Sequence, residues 1–366
     1  MDKIRIGMIG VGQIGKQHCA NYAKLAGAEM VAVADLDEAE ARRVAAQYQI
    51  ADVTTDFRQL LKRQDIQAVD VCLHNNLHAP VTIEALRAGK HVYCEKPIAG
   101  AFVDGKAMFD EAAKCGRNLS IQLSTLFTPE AKVAKRLVDA GRLGRIYHAR
   151  STGYRRRNRP FVDGYGTPAF VQKQIAAGGA LIDMGVYHIS QILYLVGRPK
   201  VERISGKVYQ ETGMDPKRRE ASGYNVEELG LGFVKCAGGF TLDILESWAI
   251  HLNEFDGSCI VGSQGGIRLD PFGYYTTLDD VESDVTFDLK HTDWRWHQCN
   301  PDEEAYDSAQ GHWVAALQGR VPLIPTSEIA LATMLISEGI YLSDRLGREV
   351  TPEEVLANSK STAVKV

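Results

Sequence analysis

The chain predicts an α/β protein in two parts: an N-terminal doubly wound parallel sheet, then a second α/β domain built on a mostly antiparallel sheet. Three observations carry this. Over residues 4–123 short β-branched runs alternate with amphipathic helical stretches, the pattern of successive βαβ units. A glycine-rich turn joins the first of these runs to the first helical stretch. Beyond Pro129 longer strand-like runs follow one another mostly without the crossover helices that parallel pairing needs. The boundary falls near Ser124, giving domains at 1–123 and 124–366.

In the first part strands are expected at 4–9, 29–34, 68–72, 91–94 and 119–123. Helices are expected between them at 14–25, 38–48, 57–62, 79–88 and 103–114. The second part opens with a helix over 130–140, ended by Gly141 and favoured at its carboxyl end by Arg142 and Arg145. Strands follow at 146–153, 201–209, 226–234, 239–248, 258–261 and 266–269, with helices at 181–195, 305–317 and 329–344. Residues 358–366 read as frayed, and no internal repeat is present.

A length of 366 residues is enough for two full cores. Apolar residues at 45% and charged residues at 24% are ordinary for a soluble globular protein. A net charge of −4 predicts no nucleic-acid or membrane partner. Met1-Asp2-Lys3 leads straight into a strand, so no signal peptide is expected, and no apolar run has the length of a membrane span. Seven scattered cysteines without a Cys-x-x-Cys pair predict reduced thiols in a cytoplasmic protein, with no disulfide framework and no metal site.

The turn is Gly10-Val11-Gly12-Gln13-Ile14-Gly15. Glycines at this spacing let backbone approach a pyrophosphate, and the following helix aims its free N–H groups at the phosphates. Asp35 ends the second strand about twenty residues on, as the dinucleotide fingerprint requires. A carboxylate there accepts from a ribose 2′-hydroxyl and repels a 2′-phosphate. Leu36 offers no cation and Asp37 adds to the repulsion, so NAD is expected rather than NADP.

Two further segments carry chemistry. Glu95-Lys96-Pro97 follows the 91–94 strand, at the sheet edge where the nicotinamide end of a dinucleotide lies. A lysine held there can bond a substrate hydroxyl and stabilise the alkoxide that develops as hydride leaves. In the second part, the glycine-rich segment 178–188 places Asp183 and Tyr187 four residues apart on one helical face, with His188 about 100° further round. An acidic group beside a proton-exchanging ring is what alcohol oxidation needs. Tyr187 is favoured over His188 as proton acceptor, and both stay candidates.

The fingerprint, Asp35, Asn75-Asn76-Leu77-His78, Glu95-Lys96-Pro97, Gly141-Arg142-Leu143-Gly144 and the 178–187 segment occur in this order. In that arrangement the chain resembles the Gfo/Idh/MocA family. The resemblance implies a Rossmann domain followed by an α/β domain with a large open antiparallel sheet. It implies NAD(P)-dependent redox chemistry at a secondary alcohol of a sugar or cyclitol, and pairing of subunits through that sheet into a homodimer or homotetramer. It places the hydroxyl-orienting lysine on Lys96 and the family's aspartate on Asp183, with Asn75 and His78 lining the cofactor cleft. Two positions depart from the pattern. Tyr187 stands where many members carry histidine, and Leu126 where members often carry arginine.

The long stretch between the 146–153 strand and the glycine-rich segment holds Arg155, Arg156, Arg157 and Arg159. Loops of this kind often contact substrate, so Tyr154, Arg156, Tyr165 and Lys173 are candidate sugar contacts. Trp294 and Trp296 form another aromatic cluster that could pack on a sugar face. The leading reading is an NAD-dependent dehydrogenase of a sugar, cyclitol or glycoside hydroxyl. The alternatives are a glycosidase or lyase using NAD transiently, and a non-catalytic dinucleotide-binding regulator.

Overall fold

Short runs of three to seven residues form the first sheet, and the computed structural model describes it within residues 2–366. Its strands are β1 (Ile4–Ile9), β2 (Ala28–Ala34), β3 (Asp52–Thr54), β4 (Ala68–Val71), β5 (His91–Cys94) and β6 (Leu119–Ile121). They pair in the order β3-β2-β1-β4-β5-β6, every pair parallel. All of β4 and nearly all of β1 is buried, as expected where helices cover both faces. Strand order reverses between β1 and β4, so a crevice opens beyond their carboxyl ends. The three-residue edge strand β3 was not expected from the sequence.

The second sheet has eight strands: β7 (Ile146–Tyr154), β8 (Val201–Tyr209), β9 (Leu229–Cys236), β10 (Thr241–Ser247), β11 (Cys259–Gly262), β12 (Gly265–Leu269), β13 (Phe272–Leu278) and β14 (Val281–Val285). Their order is β14-β13-β12-β11-β7-β10-β9-β8. Every pair is antiparallel except β7 with β10. β13 and β14 are additional to the expected strands. Asp279 and Asp280 join them at φ 48° and 64°, the doubly positive geometry of a tight hairpin turn built from aspartates instead of Asn-Gly. β9 starts later than expected, at Leu229, and Glu227 and Glu228 just before it serve as buried hydrogen-bond acceptors.

Helices Gly185–Leu195 and Thr326–Leu346 pack on this sheet, and the second of them also meets helix Phe102–Cys115 of the first part. At its start, Thr326 Oγ1 lies 2.8 Å from Ser120 Oγ and accepts the Ile121 N–H at 2.9 Å. One helix thus ties the two sheets together.

Four expectations are corrected. The helix expected over 181–195 is two, Ala180–Asp183 and Gly185–Leu195. Just after the break Gly185 packs beside β10, where a Cβ would sit at ordinary contact distance, 3.4 Å, from Glu246 Cγ. The helix expected from 79 begins at Asn75 and runs to Arg87 through Pro80. Proline leaves the Asn76 carbonyl without a helical donor, and the Val364 N–H fills it at 3.2 Å. The last residues are therefore docked, not frayed: the Thr362 N–H also donates to Asp104 Oδ2 at 2.8 Å. The helix expected over 305–317 is Ala309–Leu317, started by Ser308, whose hydroxyl accepts the Gly311 N–H. All seven cysteines are free, and no described helix is long and apolar enough to cross a membrane.

Candidate active site

The glycine turn sits at the crevice and its three glycines do different things. Gly10 has φ 88°, and a Cβ there would lie 2.3 Å from the Cys72 carbonyl oxygen. A Cβ on Gly15 would lie 2.1 Å from the Gly10 carbonyl oxygen. These two permit close packing. Gly12 faces open space, and as N-cap of helix Gln13–Tyr22 it brings no side-chain acceptor. The first N–H groups of that helix are left for an external acceptor, which suits a pyrophosphate. Asp35 Oδ2 accepts the Val11 N–H at 2.7 Å and Oδ1 accepts the Asp37 N–H at 3.0 Å, fixing the carboxylate beside the turn. Leu36 is 91% exposed and Ile14 41% exposed at the turn's flanks. The nearby cations are paired: Lys16 and Arg43 with Glu40, and Arg42 with Glu38. These residues fit NAD, and a 2′-phosphate would meet Asp35 instead of a free cation.

Across the crevice the two parts converge. Lys96 Nζ lies 2.8 Å from Asp183 Oδ1 and 4.7 Å from the centre of the Tyr187 ring. The Trp248 indole N–H donates to Asp183 Oδ2 at 3.2 Å. Burial works against the ammonium, but Asp183 and Tyr187 outweigh it and raise the Lys96 pKa. Burial likewise opposes the Asp183 charge, yet Lys96 holds that carboxyl below the usual range. The Tyr187 phenol is pushed up by burial, with Lys96 pulling partly back. Glu227 fixes the turn that carries Asp183 by accepting the Gly179 N–H at 2.9 Å and the Leu181 N–H at 3.0 Å.

His188 belongs to a separate pair. Its Nδ1 lies 2.9 Å from Glu246 Oε2, and the Ser151 hydroxyl donates to Glu246 Oε1 at 2.9 Å. Gly153 makes room, since a Cβ would lie 2.1 Å from His188 Cε1. Burial disfavours the imidazolium, but Glu246 prevails and the pKa of His188 rises.

Residues 4–123 match the family model for the Gfo/Idh/MocA oxidoreductase family with its NAD-binding Rossmann fold, and residues 131–268 match that of the Gfo/Idh/MocA C-terminal domain. The chain belongs to the Gfo/Idh/MocA oxidoreductase family. Its first part is an NAD-binding Rossmann domain. Among curated relatives, D-glucoside 3-dehydrogenase of Escherichia coli is 30% identical over 281 residues, 75% of this chain and 79% of that one. Levoglucosan dehydrogenase of Pseudarthrobacter phenanthrenivorans is 32% identical over 209 residues, 54% of this chain and 52% of that one. The fold matches the solved levoglucosan dehydrogenase complex with NADH and levoglucosan at a TM-score of 0.78 and 22% identity, covering 96% of this chain and 99% of that one.

Within this Gfo/Idh/MocA chain several expected site residues have other partners. Asn75 Nδ2 donates to the Ala176 carbonyl at 2.8 Å, so it stitches the two parts together. His78 is fully buried, with Nδ1 2.8 Å from the Pro97 carbonyl and Nε2 3.0 Å from that of Leu73, and burial pushes its pKa down. It braces the Lys96-Pro97 turn from within. Glu95 turns its carboxylate inward, to His18 and to the Lys96 N–H. Leu126 is a core residue.

The substrate-contact expectations divide the same way. Ser151 and Gly153 face the Glu246 side of β7, so by strand alternation Tyr154 faces the opposite, open side. There it packs edge-on against Phe255. Arg156 is exposed, while Arg155 reaches the Tyr165 hydroxyl and acts electrostatically on Asp183 and His188. Arg159 is buried between Asp163 and Glu228, and Arg157 pairs with Asp163, so both are structural. Lys173 is exposed, 5.8 Å from the Tyr341 ring. Trp294 is exposed, and Trp296 is covered by Arg136 at 4.0 Å. Sequence reasoning missed Trp248, Glu246 and Glu227. Each is one residue in a strand or strand entry, and only the strand's alternation could have assigned its face.

Proposed function

We propose that this chain is an NAD-dependent dehydrogenase acting on a secondary alcohol of a sugar, cyclitol or glycoside. The observation that carries the reading is the 2.8 Å contact between Lys96 and Asp183, one residue from each part, at the mouth of the dinucleotide crevice. NAD, when bound, supplies the hydride acceptor. Lys96 donates to the reacting oxygen and stabilises its developing negative charge. Asp183 keeps that ammonium charged and aimed, and Trp248 holds the far oxygen of Asp183. Tyr187 takes the hydroxyl proton as its phenolate, having first released its own proton to solvent; the neighbouring ammonium favours that phenolate against the opposing effect of burial. The 1–123 domain serves the cofactor. The 124–366 domain serves the substrate and pairs subunits through the open face of the second sheet, where Tyr209 and Phe233 are exposed.

The relatives' names make glucosides, levoglucosan and inositols the first candidates. Purified protein is given these and sugar acids, with NAD and NADP compared. Reduced-nicotinamide absorbance with at least one polyol and NAD supports the reading, and none with any would refute it. The His188–Glu246 pair favours a second reading, because a second proton-handling group suits elimination after transient oxidation. Glycoside cleavage without net NADH would identify that activity.

A further inference from the structure

Beneath the site lies a buried ionic bridge that the proposed chemistry does not use. His18, on helix Gln13–Tyr22, has Nδ1 2.9 Å from Asp70 Oδ2 and Nε2 2.8 Å from Glu95 Oε1. The side chains of His18 and Asp70 are 1% and 0% exposed, that of Glu95 8%. Glu95 Oε2 accepts the Lys96 N–H at 2.9 Å, and the Glu95 N–H donates to the Val71 carbonyl at 3.0 Å. We propose that His18 is a positioning residue for Lys96: by bridging Asp70 and Glu95 it fixes the turn from which the ammonium reaches Asp183.

A neutral imidazole has one N–H, so a ring facing carboxylates at both nitrogens must be protonated to donate to both. Burial opposes this, but Asp70 and Glu95 outweigh it and raise the His18 pKa to about 10. The other titratable groups around it stay neutral. Burial pushes the Cys19 thiol to about 12 and holds Cys72, Tyr22 and Tyr93 well above their ordinary values. His18, Asp70 and Cys72 are close enough together to suggest a metal set. The imidazole nitrogens, however, are taken by carboxylates at hydrogen-bond distance, so the cluster is an ion bridge. It spans the helix behind the phosphate turn, the end of β4 and the residue after β5. Cofactor turn and catalytic-lysine turn are thereby fastened to one buried point. His78, on the Pro97 carbonyl, fastens the same turn from the other side.

The inference rests on the functional reading only for its kinetic arm. The test compares wild type, His18→Gln and Glu95→Gln as NADH complexes, by crystallography, NADH fluorescence titration and steady-state kinetics on the best polyol of the panel. The expected result is an NADH Kd within about threefold of wild type, with the Lys96 Nζ–Asp183 contact lengthened beyond hydrogen-bond range. kcat falls about 30-fold with KM changed far less, since a misplaced lysine weakens the transition state more than the bound substrate. If His18→Gln fails to fold, Glu95→Gln carries the test, because it keeps the His18–Asp70 pair. An unmoved Lys96 in whichever variant folds would overturn the proposal. If wild type oxidises no polyol, the functional reading fails and the crystal comparison alone decides the role of His18.

Discussion

The Trp248 indole N–H and Asp183 Oδ2 meet at 3.2 Å while Lys96 occupies the other oxygen, so both oxygens of one carboxylate are claimed from different elements. Trp248 is fully buried at the end of β10. Trp248→Phe keeps most of the ring and removes only the donor. A hydrogen bond to a charged group contributes about 1.5–3 kcal/mol. The expected outcome is a kcat lower by about tenfold or more with NADH affinity unchanged, read by steady-state kinetics and fluorescence titration.

Tyr187 and His188 are adjacent in sequence and separate in space by partner: Lys96 for one, Glu246 for the other. Removing a general base costs roughly 10²–10⁴ in rate. Tyr187→Phe is expected to lose that much kcat, and His188→Asn much less. Equal losses, or the reverse order, would move the proton acceptor to His188.

The His18 bridge makes a pH prediction. Its pKa is raised from 6.5 to about 10 in the folded chain, so between those values the folded state holds a proton that the unfolded state has lost. The stabilisation is full below pH 6.5 and disappears as pH rises through 10. Thermal unfolding of wild type should therefore lose several degrees of Tm between pH 7 and 10 beyond any loss in His18→Gln. Parallel curves would contradict a protonated His18.

Asp35 anchors the Val11 N–H and repels a 2′-phosphate. Asp35→Ser is expected to weaken NADH binding and to narrow the NAD-over-NADP preference, measured as the ratio of the two dissociation constants. An unchanged ratio would remove Asp35 from cofactor choice.

Much of this site was legible because its signals are local. Glycine at 10, 12 and 15 is a backbone requirement readable from spacing, and Lys96 and Asp183 each sit in a short distinctive run. What was not legible depends on the face a side chain takes in a sheet. Tyr154 looked like a substrate contact until the strand alternation set it opposite Gly153, and Glu246 was invisible for the same reason. The hairpin at Asp279-Asp280 lacked the usual glycine. His18 sits inside an ordinary amphipathic helix, and only the packing of β4 and β5 brings Asp70 and Glu95 to it.

The most direct test is Lys96→Ala, followed by NADH fluorescence titration and by turnover of the polyol that wild type oxidises. The account predicts NADH binding within about threefold of wild type and turnover lower by at least about 10²–10³, the cost of losing a transition-state donor. Turnover near the wild-type rate would contradict it.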